Sequence, residues 1–148
     1  MTVLRYSVGN EHNPGDPWGR SELVIHPDGT ATLEHHFSRV GGVGAWTGRI
    51  DAEALEALWT ALDQAGFPAA PTSPPVGGAS LRRLTVEADG TSRHAVLDWN
   101  TSSKLPGYAE AFDILDGVIR QLSDDTVTYP TTQPSIVRDV TAVAAPPA

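Results

Sequence analysis

Histidines, carboxylates and a serine–lysine neighbour pair are the residues of this chain that could do chemistry, and their spacing limits what each can do. Three of the five histidines fall in one stretch, WGRSELVIHPDGTATLEHHF, residues 18–37. Clustered imidazoles could hold a metal ion or pass a proton. His35 and His36, however, are neighbours on a segment that reads as a strand, so they point to opposite faces and cannot chelate one ion. His35 shares its parity with Ala31, Leu33 and Phe37 and should lean inward. His36 shares its parity with Thr32 and Glu34 and should lean outward. His26 lies across a tight turn and nearer to it than His36. The expectation is therefore no metal site and no cofactor.

The other reactive groups are no better placed. Glu53 with Glu56 and Asp113 with Asp116 are spaced i, i+3 on two expected helices, each pair on a face away from the apolar stripe. They should be solvated, whereas acid–base work needs a carboxyl held in a cleft. Ser102, Ser103 and Lys104 sit side by side in TSSKLPG, without the helical-turn spacing of a Ser–Lys nucleophile. RVGGVGAW is glycine-rich but lacks the Gly-Lys-Ser/Thr ending of a phosphate loop. Without cysteine there is no disulfide, thiolate nucleophile or cysteine-bound zinc. These patterns lead to an expectation of no enzyme. The rival, a histidine-lined cleft for a small molecule or a reaction, would require His26, His36 or His94 to converge with Glu34 or Asp98.

The elements that would position these residues follow from periodicity. TVLRYSV alternates and reads as a strand; SELVIH and TATLEHHF form a hairpin around PDG; AWTGRI could be a further short strand. IDAEALEALWTALDQAGFP is a helix, with Asp51 as N-cap, a stripe of Leu55, Leu58, Trp59, Leu62 and Ala65, and Gly66 where a left-handed C-cap would end it. A Pro/Gly-rich connector follows. LRRLTVEADGTSRHAVLDW is a second hairpin, turned at Asp89–Gly90. YAEAFDILDGVIRQL is a second helix, striped by Tyr108, Phe112, Leu115, Ile119 and Leu122. Gly117 inside it costs roughly 1 kcal/mol against Ala, which suggests close packing there. The two hairpins align through Asp-Gly-Thr, giving the order β-(ββα)-(ββα). The expected fold is α+β: a two-layer sandwich with an antiparallel sheet of four to six strands and two helices on one face. Residues 1–122 would form the single domain, and 123–148, rich in Thr, Pro and Ala, a disordered or extended tail with SIVRDVTAV as a conceivable edge strand.

The formal net charge of -8, with ten basic residues in 148, argues against a nucleic-acid surface and suits a basic protein partner. Neither a signal peptide nor a membrane span is readable, so the expected address is the cytoplasm of a bacterial-type cell, with no membrane partner. Trp18 beside Arg20, and Trp46 beside Arg49, resemble interface anchors in loops; capping of the core is the alternative for both tryptophans.

LEALWTALDQAGFPAAP followed by LRRLTVEADGTSRHAV, within a layout spanning roughly Leu23 to Leu122, resembles emfourin-type proteins, small bacterial inhibitors of thermolysin-like metalloproteases. The resemblance implies a non-enzymatic inhibitor with a protease partner. The longer N-terminal loop, the NTSSKLPG segment and the tail depart from that pattern, and no inhibitory residue carries over. The expected function is a small acidic inhibitor or immunity-type protein that occludes a partner protein. The alternative is a subunit or scaffold of a larger assembly that docks through its tail.

Overall fold

The computed structural model describes residues 2–9, 19–37, 42–69 and 81–144. Seven strands and two long helices follow in the order β1 (Thr2–Gly9), β2 (Arg20–Ile25), β3 (Thr30–His36), β4 (Val43–Ile50), α1 (Ala52–Ala65), β5 (Leu81–Ala88), β6 (Thr91–Asp98), a four-residue helix α2 (Trp99–Ser102), α3 (Tyr108–Leu122) and β7 (Val137–Ala144). All strands join one antiparallel sheet in the order β6-β5-β1-β2-β3-β4-β7.

Alternation decides which side of each strand is buried. Leu4, Tyr6 and Val8, Leu23 and Ile25, Ala31 and Leu33, Leu84 and Val86, and Ala95 and Leu97 all turn to the core. Arg82 and Asp116 bridge that face to α3, and Tyr6 stacks on Phe112. The hairpin turns differ despite their shared Asp-Gly. Asp89 and Gly90 both take positive φ and close β5 on β6 directly, the two-residue turn that matches strand twist. Pro27-Asp28-Gly29 makes a three-residue loop closed by His26 and Thr30.

The α+β class holds. The sheet, however, has seven strands rather than four to six and dominates the molecule, so the expected sandwich built on a four- to six-strand sheet is corrected. The added strands are β4, which lengthens the first hairpin before α1, and β7, which comes from the supposed tail. Within residues 123–144, Val127 and Tyr129 are buried, and β7 pairs with β4 at the sheet edge. The segment between α3 and β7 also straps across the far side of α3. Thr131 Oγ1 donates to the Asp113 carbonyl, and Gln121 Nε2 to the Pro134 carbonyl. Gly117 permits this approach, since a Cβ there would lie 2.9 Å from the Gln133 Cβ. Covered by sheet and strap and packed along α1, α3 is buried nearly all round rather than along one stripe.

Helix ends follow their chemistry with one exception. Gly66 caps α1 at φ 76 and Phe67 N–H reaches back to Leu62, as a Schellman end requires. Asp51 occupies the N-cap position, but its side chain accepts from Arg138 Nε of β7 at 2.7 Å instead of capping.

Candidate functional site

The most polar construction inside the fold was hidden in alternation. On β5, Arg82 turns inward and Arg83 outward. Arg82 Nη1 donates to Asp116 Oδ2 at 3.0 Å and to the Tyr6 hydroxyl, and Tyr6 donates to Asp116 Oδ1 at 2.9 Å. The Arg82 guanidinium carbon lies 3.8 Å from the Trp99 ring centroid and 4.8 Å from that of Phe112, a cation–π setting shielded from water. Asp116 is 2% exposed and Arg82 5%. Burial pushes the Asp116 carboxyl up to about 6, against the pull of Arg82 and Tyr6. Burial, and then the Asp116 charge, raise the Tyr6 hydroxyl well above its ordinary value. Burial also works against the Arg82 charge, but Tyr6 and Asp116 outweigh it. The expectation that Asp113 and Asp116 are both solvated fails for Asp116, because the strap and the sheet close over α3 on both sides.

Above this network lies a cleft of about 340 Å³. Its base is Arg82 and Asp116, its apolar parts are Phe112 and Pro130, and its rim carries Glu110 and Asp113. Partial burial pushes Asp113 up, but hydrogen bonds from Thr132 and Gln133 outweigh it and hold the carboxyl below its ordinary range. Glu110 accepts from Gly107 N–H at 2.6 Å. With Asp116 neutralised by Arg82, the rim carries unbalanced negative charge. Taken together, α1, α3 and the turn after α3 carry Glu53, Glu56, Asp63, Glu110, Asp113, Asp124 and Asp125 against Arg120. The outward side of the sheet is different: Arg5, Arg20, Arg49, Arg83 and Arg138 stand there with Glu22, Glu34, Glu87 and Asp98. Among the described residues the excess of acids over bases is thus concentrated on the helical side.

The residues singled out from the sequence are scattered over this frame. Trp18 lies outside the described residues. Trp46 faces the core at 5% exposure, so it caps the core and does not project as an anchor; the glycine loop before it misleads because β4 begins at Val43. Arg20 is half-buried at the start of β2 and donates to Glu22 at 2.5 Å. Arg49 is exposed and donates to the Asp28 carbonyl at 3.3 Å. His35 is buried as parity demands, with Nδ1 2.6 Å from Ser21 Oγ, which is 3.2 Å from the Tyr129 hydroxyl. This Ser–His pair has the distance of a nucleophile and its base, but Ser21 and Tyr129 are 0% exposed and His35 1%, so substrate has no approach to it. His94, on β6, is four strands from His36, on β3. Asp98 accepts from Thr101 at the start of α2.

His36 Nε2 does reach Glu34 Oε1 at 3.1 Å, and with Glu22 these ligand atoms fall within 4.8 Å of one another. Two residues i, i+2 on one strand and a third directly across from the first can chelate a divalent cation. Arg20 already supplies positive charge at Glu22.

No protein-family model and no curated protein matches this chain. Among the described residues, no helix is long and apolar enough to cross a membrane.

Proposed function

We propose that this protein is a non-enzymatic protein-binding module, a small acidic inhibitor or immunity-type protein that occludes a partner carrying basic side chains. The observation that supports this reading is the acid-rimmed cleft on a helical side whose acids outnumber its bases. Its carboxylates are pre-oriented by internal hydrogen bonds, so little ordering is lost on binding. A Lys or Arg side chain has the length and charge to enter between Glu110 and Asp113, with its methylenes on Phe112. The emfourin resemblance makes a protease the partner class to try first. A photoreactive amino acid at Ala109, on the cleft wall, tests the contact: crosslinking to a Lys- or Arg-bearing segment of the partner is expected, and crosslinking to acidic or apolar segments would speak against it.

A scaffold reading, with docking through the tail, is favoured by one observation. Val140 and Val143 on the edge strand β7 are 40% and 69% exposed, and an edge strand can accept another chain.

A further inference from the structure

We infer that the outward face of the sheet is a self-association surface, on which two copies of this chain pack about a twofold axis parallel to the strands and midway between β1 and β2. The inference rests on strand register and surface charge and is independent of the function proposed above.

The first observation is electrostatic. Two copies carrying a net charge of -8 each repel, and the outward sheet face, with five arginines to three glutamates and Asp98 among the described residues, is where that repulsion is least. The second observation is register. One row of outward residues crosses six strands: Val96 on β6, Arg83 on β5, Ser7 on β1, Glu22 on β2, Glu34 on β3 and Ala45 on β4. A twofold axis midway between β1 and β2 lays this row on its own copy in reverse. Arg83 then meets Glu34, Ser7 meets Glu22, and the 48% exposed Val96 meets Ala45, each contact made twice, as an isologous interface requires. The adjacent row adds Thr85 over Thr32, His94 over Thr47 and, at the axis, the Arg5 stem over Val24. An axis on β2 stacks Glu22 on Glu22; one on β1 pairs Arg83 with Glu22 but sets Val96 against Glu34 and leaves β4 outside the overlap.

The size is also suitable. Six overlapping strands at about 4.8 Å spacing and about six residues at about 3.3 Å rise give roughly 600 Å² of projected area per copy. A standard interface buries about 800 Å² of accessible surface per partner. β7 and the helical side stay outside the overlap, so the acidic cleft remains open in the dimer.

Sedimentation equilibrium of the full chain tests this with the wild type, Arg83→Glu, Glu34→Arg and the double variant, each checked for folding by circular dichroism. Both positions are exposed, so the fold is expected to persist. A wild-type dimer is expected, weakened roughly tenfold or more by either single reversal, which creates two like-charge contacts, and restored in the double variant. A wild type that stays monomeric at millimolar concentration overturns the inference. So does a dimer that is indifferent to both reversals, or one that the double variant fails to restore.

Discussion

Removing the Asp116 carboxylate should be among the most damaging single changes to this fold. Asp116→Leu deletes the acceptor of Arg82 Nη1 and of the Tyr6 hydroxyl. Arg82 cannot escape by losing its proton, and at 5% exposure it cannot reach water without breaking its stack on Trp99. Breaking one partner of a buried ion pair costs about 3–5 kcal/mol, because the surviving charge stays desolvated. The buried Tyr6 O–H loses its acceptor as well, which adds to that cost. At least about 4 kcal/mol is therefore expected, roughly a quarter or more of the total for a domain with about 5–15 kcal/mol of stability. Arg82→Met with Asp116→Leu should cost only about 1–2 kcal/mol, because both desolvation penalties vanish together. The double variant should therefore be more stable than Asp116→Leu alone by about 2–3 kcal/mol, so the cycle is strongly non-additive. Urea unfolding of the four proteins, followed by tryptophan fluorescence and far-ultraviolet circular dichroism, measures it; Trp99 stands on the perturbed cation. An Asp116→Leu cost below about 1 kcal/mol, or strict additivity in the cycle, would refute the reasoning.

Further predictions concern pH, the strap and the core. Burial raises Asp116 to about 6 in the folded state, so between its unfolded value and about pH 6 the native protein holds a proton that the unfolded chain releases. This contribution is fully present at low pH and is lost as pH rises through about 6, by about 2–3 kcal/mol; Asp116→Asn should flatten that slope in urea titrations at stepped pH. Asp113, whose carboxyl is held down, works oppositely: its stabilisation is lost as pH falls below the ordinary carboxylate range, and Asp113→Asn should blunt that acid-side loss in the same titrations. Gly117→Ala drives a Cβ against Gln133 and Thr131 and should cost about 1–2 kcal/mol despite better helix propensity, with faster proteolysis of residues 123–136 as its signature. Trp46→Ala should cost about 3–5 kcal/mol in unfolding experiments, whereas Arg49→Ala should stay within about 0.5 kcal/mol, the reverse of what two equivalent surface anchors would give.

The hairpins, both long helices and the inward lean of His35 were legible because each rests on local periodicity over six or more residues. β4 was suggested by AWTGRI but starts earlier, since Val43 and Gly44 carry no pattern until a neighbouring strand pairs with them. β7 was readable only as a conceivable edge strand in SIVRDVTAV, for a related reason: Arg138 to Ala144 is exposed on both faces, so its strand conformation comes from pairing with β4 and not from an apolar alternation. The strap over α3 had a faint signal in Gly117, a costly residue in a helix unless something packs there. The Tyr6–Arg82–Asp116 network left a readable trace only at Arg82, which shares the parity of Leu84 and Val86 on β5. Asp116 sits one residue from Leu115 and three from Ile119, so α3 read as a one-sided stripe made it look solvated; the strap that buries it comes from residues with no periodicity. The cleft joins side chains from β5, α3 and the strap, and no spacing within one element announces it.

The claim that this is an acidic binding module is tested most directly by measuring one captured partner against salt. The wild type and a Glu53→Lys/Glu56→Lys/Glu110→Gln variant are titrated with that partner by calorimetry over a range of ionic strength. The account predicts that affinity for the wild type falls steeply with salt and that the variant loses most of its binding even at low salt. An affinity indifferent to both salt and the removal of these carboxylates would contradict it.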